Sequence, residues 1–156
     1  MKRSKMPPID VQLRRATSGL AAPPLRQLRS WAEAALGRGA FGRELSVLLV
    51  GPARSRQLNR HYRGKDYATN VLAFPAPAAP ATSASLGDLV ICPSVLRTEA
   101  KAQRKSVRAH WAHLFVHGLL HLVGHDHEGE PDAQRMERRE IRVLRKLGIA
   151  NPYRSS

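Results

Sequence analysis

The segment "VRAHWAHLFVHGLLHLV", residues 107–123, decides the fold of this protein. Its apolar residues cover most of the circumference of a helix, which is typical of a central, buried helix rather than a surface helix. Ser106 is suited to cap the start of this helix, and Gly124 is suited to end it with a left-handed residue. The sequence therefore predicts a core helix around which the other elements pack.

Histidines recur along this helix at intervals of three or four residues. They stand at positions 110, 113, 117 and 121. This spacing places them in one stripe on the helix. Buried imidazoles cost free energy unless they have partners, and a metal ion is one such partner. His117 and His121 lie one turn apart, so their ring nitrogens can bind the same ion.

The sequence "HGLLHLVGHDH", residues 117–127, places a further histidine close to this pair. A turn at Gly124 can bring His127 to the same ion. Three neutral ligands would leave a fourth position open, as in catalytic zinc sites. His125, directly after the turn, is the alternative third ligand. We therefore expect one zinc ion held by three histidines.

The same histidine spacing occurs in the metzincin proteases, with one difference at residue 118. Those proteases carry a glutamate there as their general base, whereas this chain has Gly118, which has no side chain. Met136 resembles the methionine of the protease Met-turn, but its sequence context favours a place in a helix core. A zinc peptidase is therefore a minor alternative.

The rest of the sequence predicts strands in the first part of the chain and helices in the second. The predicted strands are 9–17, 44–51, 69–75 and 87–92, and the predicted helices are 24–36, 55–63, 94–104 and 132–147. Residues 76–85 are of low complexity and are expected to form a flexible loop, while 1–8 and 154–156 are expected to be disordered tails. We expect a single α+β domain over 1–156.

The charge of the chain indicates a polyanionic ligand. The sequence contains 26 Lys and Arg against 12 Asp and Glu, a net charge of +14. Residues 1–65 contain 14 basic and 3 acidic residues, and residues 66–156 contain 12 and 9. Nucleic acid fits better than an anionic membrane, because the chain has no lipidation motif and no evident basic amphipathic helix. A generally basic surface without a specific ligand is the simpler alternative.

Cysteine usage and hydropathy bear on the compartment. The single cysteine, Cys92, excludes an intramolecular disulfide, and we expect it to be a small buried hydrophobe in a reducing compartment. No apolar stretch of signal-peptide length follows the basic N-terminus, and no apolar run has the length of a membrane span. We therefore expect a cytoplasmic protein.

Several blocks of the sequence resemble the YbeY family of bacterial endoribonucleases, which are rRNA maturation factors. The blocks are "LNRHYRGKDYATNVLAFP" (58–75), "LGDLVIC" (86–92), "HWAHLFVHG" (110–118), "HGLLHLVGHDH" (117–127) and "PY" (152–153). Together they cover roughly residues 44–153. Ala73 stands where many members of the family have serine, and His125 stands where many have tyrosine.

The resemblance implies a zinc-dependent, single-strand-specific endoribonuclease that acts in 3′-end maturation of small-subunit (16S) rRNA and in ribosome quality control. Its partners would be single-stranded RNA, pre-rRNA and the small ribosomal subunit. The implied fold is zincin-like, with a mixed four-stranded sheet. His117, His121 and His127 carry over as metal ligands, and Arg63 as the arginine that binds the scissile phosphate. A non-catalytic, zinc-stabilised RNA-binding assembly factor is the alternative.

Further polar residues near Arg63 have less specific roles. Four basic residues are candidates for RNA binding because they lie in the basic first part of the chain: Arg54, Arg56, Arg60 and Lys65. Asp66, Thr69 and Asn70 belong to residue types that favour turns, so we expect them to shape the entry into the following strand.

The sequence leaves open whether metal-bound water or the ribose 2′-hydroxyl attacks the RNA.

Overall fold

The computed structural model describes residues 7–77, 84–124 and 130–154. These residues contain four strands and five α-helices. The strands are β1 (Asp10–Arg15), β2 (Glu44–Leu49), β3 (Val71–Pro75) and β4 (Ser85–Ile91), and the helices are α1 (Leu25–Leu36), α2 (Pro52–Arg63), α3 (Pro93–Ala102), α4 (Val107–Leu122) and α5 (Glu130–Lys146). A short 3₁₀ helix, Gly37–Ala40, follows α1 and was not expected. Most of the predicted tails (1–6 and 155–156) and most of the predicted loop over 76–85 lie outside the described residues, so the single-domain organisation stays a prediction.

The strands form one sheet in the order β1–β2–β4–β3. β1, β2 and β4 run parallel, and β3 is antiparallel to β4. The predicted α+β class with a mixed four-stranded sheet is therefore confirmed. Within the described part of the chain β3 is an edge strand, and its residues line the groove described below.

Helix α4 is the centre of the fold, as the sequence predicts. Ten of its sixteen residues are buried, and it contacts the sheet as well as α1, α3 and α5. Ser106 caps its first turn by accepting a hydrogen bond from the backbone N–H of Ala109 at 3.0 Å. No helix among the described residues has both the length and the apolar character needed to cross a membrane.

Two hydrophobic clusters hold the layers together. The larger one contains most of the buried face of α4, and Met136 belongs to it with no exposed surface, so the prediction that this methionine is helix core is confirmed. The smaller one contains Val50, Leu72, Val90 and Cys92, with Leu58 of α2 packed against it. Cys92 is only 1% exposed, which confirms the expectation of a buried cysteine.

The predicted start of α2 at Ser55 is wrong. The helix begins three residues earlier, at Pro52, because proline is well suited to the first helical position, where its missing N–H costs no hydrogen bond. Ser55 is instead a buried residue inside the helix. Its hydroxyl donates to the carbonyl of Thr69 at 2.8 Å and accepts from the N–H of Thr69 at 2.9 Å. These two bonds fix the segment between α2 and β3.

Candidate metal centre

Two histidines of α4 bring their ring nitrogens together at the surface of the helix. The Nε2 atoms of His117 and His121 are 3.1 Å apart. Two nitrogens bound to one tetrahedral zinc at 2.0–2.1 Å lie about 3.3 Å from each other. Both side chains are partly exposed, so an ion can reach them from outside. The two histidines, one turn apart as predicted, therefore have the nitrogen spacing that two ligands of one zinc ion require.

A buried carboxylate binds the opposite side of the His117 ring. Glu140 of α5 has no exposed surface, and its Oε1 accepts a hydrogen bond from Nδ1 of His117. Its Oε2 accepts a hydrogen bond from the hydroxyl of Tyr153, and Nε2 of His113 lies 3.7 Å from the same oxygen. With the proton on Nδ1, Nε2 of His117 has the lone pair that a metal ion would need.

The contacts of Glu140 fix its charge as well as its position. Burial alone raises the pKa of this carboxyl, but the contacts with His113, His117 and Tyr153 outweigh burial and lower the pKa to about 2. Burial and the adjacent carboxylate raise the pKa of the Tyr153 hydroxyl far above its usual range. The carboxylate is therefore ionised and the phenol is protonated at neutral pH, so each group keeps a fixed role as acceptor or donor.

A second grouping of ligands is possible in the described residues. The potential ligand atoms of His113, His117 and Glu140 lie within 4.8 Å of one another. However, both oxygens of Glu140 already accept hydrogen bonds, from His117 and from Tyr153. These two bonds place Glu140 to orient the His117 ring.

The two histidines open into a groove of about 730 Å³. Its walls come from the end of α2, the edge strand β3, the exposed side of α4 and the C-terminal segment. The residues that matter for chemistry are Tyr62, Arg63, His113, His117, His121 and Tyr153. Cavities of this volume are typical of ligand sites in proteins. The sequence-predicted Arg63 thus lies in the same groove as two predicted ligands.

The edge strand β3, whose residues line this groove, carries polar backbone groups that do not pair with β4. The carbonyl of Asn70 accepts from Cys92, and the N–H of Ala76 donates to Leu86, so even-numbered residues of this segment pair with β4. The peptide groups of Val71 and Ala73 consequently point towards the open edge of the strand.

The predicted third ligand cannot be compared with this geometry. His127, the alternative His125 and the neighbouring Asp126 all lie outside the described residues. Gly124, directly before them, has a φ of +94°, so the chain does leave the helix through a positive-φ glycine. The role of His127 stays a prediction.

The remaining predicted RNA-binding residues lie on or after α2, and all of their side chains are exposed: Arg54, Arg56, Arg60 and Lys65. None of these four lines the groove with the histidines. Arg56 donates two hydrogen bonds to Asp66, at 2.8 and 3.0 Å, and these bonds hold the pKa of that carboxyl below its usual range. Arg54 donates to Gln57 at 2.6 Å. RNA binding by these residues stays a prediction.

Gly118 is buried where α4 crosses the sheet. A Cβ atom at this position would lie 2.9 Å from Cδ2 of Leu89 and 3.3 Å from Cγ2 of Val71. The glycine therefore allows α4 to approach β3 and β4 closely. The structure gives a packing reason for the glycine at the position where metzincins place their catalytic glutamate.

A second polar cluster lies beside the groove. Glu99 of α3 accepts hydrogen bonds from Nδ2 of Asn70, at 2.9 and 3.2 Å, and contacts Nε2 of His110 at 2.9 Å. His110 is buried, and burial lowers its pKa. Asn70 thus anchors the start of β3 to α3.

Sequence reasoning missed Glu140. A signal was present: in "MERREIRVL", the spacing of Met136, Glu140 and Leu144 places a carboxylate on the apolar face of α5. An acid in such a stripe needs a partner. The partner lies 23 residues away on α4, and no sequence pattern identifies it.

Comparisons with known proteins show which family the chain resembles. A family model described as Endoribonuclease YbeY matches residues 22–148. A relative from Azoarcus sp. (strain BH72), named Endoribonuclease YbeY, is 48% identical over 158 residues, covering 96% of this chain and 62% of its own length. A relative of the same name from Alkalilimnicola ehrlichii is 46% identical over 154 residues, covering 95% of this chain and 93% of its own. The chain thus spans less than two thirds of the Azoarcus protein.

A solved structure resembles the fold. The solution structure of a Thermotoga maritima protein superposes with a TM-score of 0.56 at 21% identity, covering 92% of this chain and 99% of the other. At this level of identity the likeness concerns the fold alone.

Proposed function

The chain belongs to the YbeY endoribonuclease family, and on this basis we propose that it is a zinc-dependent endoribonuclease that cleaves single-stranded RNA. The observation that carries the proposal is the 3.1 Å approach of the His117 and His121 Nε2 atoms in a groove that also contains Arg63. The biological substrate would be pre-rRNA of the small ribosomal subunit, with roles in 16S 3′-end maturation and in ribosome quality control in the cytoplasm.

The donor set suits zinc. His117 and His121 offer neutral nitrogen ligands, and His127 is the proposed third. When bound, zinc would act as a Lewis acid towards the scissile phosphate. Glu140 holds the His117 ring in one tautomer and one orientation, so that its Nε2 is ready for the ion.

Arg63 would bind the scissile phosphate. Its planar guanidinium can donate two parallel hydrogen bonds to phosphate oxygens, and it keeps its charge at every physiological pH. The charge on those oxygens grows as the phosphate is attacked, so a fixed cation beside it stabilises the transition state more than the ground state. This role needs no change of protonation at Arg63.

The charge of α2 would guide RNA towards the groove. Arg56, Arg60 and Arg63 are spaced by four and three residues, so they lie along one face of the helix. Arg56 is paired with Asp66, which leaves Arg60 better suited to contact a phosphate. The net charge of +14 supports association with RNA over most other ligands.

The test is cleavage of a defined RNA by the purified protein. We expect cleavage of a single-stranded RNA, weak or no cleavage of the same sequence in a duplex, loss of activity with a chelator, and recovery when zinc is added back. Casein is the control substrate for a peptidase and should stay intact. Binding of the RNA without cleavage by the zinc-loaded protein would contradict the proposal and favour a non-catalytic assembly factor.

A further inference from the structure

An exposed aromatic side chain stands at the rim of the groove. Tyr62 is 60% exposed, although it lies next to Arg63 in the chain and lines the same groove as His117 and His121. A single exposed apolar residue is common on protein surfaces and by itself needs no explanation. The surroundings of this ring distinguish it.

Two neighbouring rings hold the Tyr62 ring in place. The centroid of Phe74 lies 5.0 Å away at an interplanar angle of 70°, and that of His61 lies 4.6 Å away at 89°. Both are edge-to-face arrangements, which aromatic pairs favour. Phe74 is itself packed against the smaller hydrophobic cluster, so the ring of Tyr62 is supported from the core. A ring held in this way loses little conformational entropy when it binds a flat ligand.

The charge around Tyr62 specifies the kind of flat ligand. Arg63 follows it directly and lines the same groove, so an anionic backbone bound to Arg63 would run past this ring. Proteins that bind single-stranded nucleic acids combine such basic tracks with exposed aromatic rings on which bases stack. In a duplex the bases are already stacked and paired, and they are not available to a protein ring.

We propose that Tyr62, supported by Phe74, stacks on an unpaired nucleobase of the RNA next to the metal centre. The proposal rests on the proposed function and deepens it, because it gives a physical origin for selectivity towards single strands. The base on Tyr62 positions the backbone, and the adjacent Arg63 then meets a phosphate.

The test compares Tyr62→Ala, Tyr62→Phe and Tyr67→Ala in their zinc-loaded forms. Tyr67 is the matched control, because it is 54% exposed but does not line the groove. The probe is a fluorescein-labelled 2′-O-methyl oligonucleotide, and the dissociation constant is measured by anisotropy at fixed salt. We expect Tyr62→Ala to weaken binding roughly 5- to 150-fold, the range measured for one stacked base. Tyr62→Phe keeps the ring and should stay within about twofold of wild type, as should Tyr67→Ala.

A second arm uses the same oligonucleotide with abasic nucleotides. If the ring stacks on a base, wild type should bind the abasic probe weakly, and Tyr62→Ala should cause little further loss, since both changes remove one interaction. Unchanged binding by Tyr62→Ala, equal losses for Ala and Phe, or an equal loss for a duplex probe would each overturn the stacking role. If wild type fails to bind single-stranded RNA, the proposed function itself fails, and the two results are therefore distinguishable.

Discussion

Glu140 and His117, on α5 and α4, form a buried hydrogen bond in which the imidazole Nδ1–H donates to the carboxylate. The bond fixes the tautomer of His117, so that Nε2 faces Nε2 of His121 across 3.1 Å. The proposed metal centre would therefore depend on packing between two helices as well as on its own ligands. A carboxylate behind a metal-binding histidine orients the ring and increases its basicity.

Glu140→Gln should weaken zinc binding about 10- to 100-fold, because the amide keeps the shape of the side chain but removes the charge that orients and polarises His117. The measurement is competition with a chromophoric zinc chelator. Glu44→Gln, an exposed acid at the start of β2, is the control and should bind zinc as wild type does. An unchanged zinc affinity in Glu140→Gln would show that the metal does not depend on this contact.

Gly118→Ala should destabilise the fold by about 1–3 kcal/mol, because the added methyl group would press on Leu89 in a well-packed layer. Thermal and urea unfolding measure this change. The control is Gly39→Ala, where no atom lies within 4 Å of the added Cβ and φ is not positive. A stable Gly118→Ala protein would mean that α4 and the sheet are less closely packed than described.

Gly118→Glu would place a larger side chain against the same neighbours, Leu89 and Val71. Beyond the packing cost, it would place a negative charge on the helix that carries the metal ligands. We expect lower RNA cleavage and no peptidase activity, measured with the RNA and casein substrates above. Casein cleavage by Gly118→Glu would contradict the assignment of this groove to RNA.

The salt dependence of RNA binding should identify the basic face in contact with the strand. Arg60→Ala should reduce the slope of log K against log salt by about 0.7, the contribution of one phosphate contact to a single strand. Arg138→Ala, an exposed arginine of α5 next to Glu137, should leave the slope unchanged. Equal effects of the two substitutions would indicate that α2 is not the RNA-binding face.

The fold could be predicted from the sequence because its signals are local. Each signal lies within the element that it predicts. Apolar residues mark α4, prolines mark where elements begin or end, and runs of β-branched residues mark the strands. The start of α2 was misplaced because Ser55 resembles a helix cap, whereas Pro52 takes the first position and Ser55 bonds to Thr69. That bond joins residues fourteen positions apart, and a local pattern cannot show it.

The candidate site was predicted only in part for the same reason. His117 and His121 share one helix, so their spacing alone places them together. Glu140 reaches His117 from another helix, and its role follows only from the packing of α5 on α4. Arg63 was predicted from the family resemblance. In the structure it lies in the groove because α2 ends beside the edge strand β3.

The most direct test of the account compares zinc content, melting temperature and single-turnover RNA cleavage in wild type, Arg63→Ala and His121→Ala. We predict that His121→Ala loses both zinc and cleavage, because two ligands rarely hold the ion. Arg63→Ala should keep its zinc and its melting temperature while the cleavage rate falls about 100- to 1,000-fold, the effect of removing one preorganised electrostatic contact. Full cleavage by Arg63→Ala, or full zinc content in His121→Ala, would contradict the account.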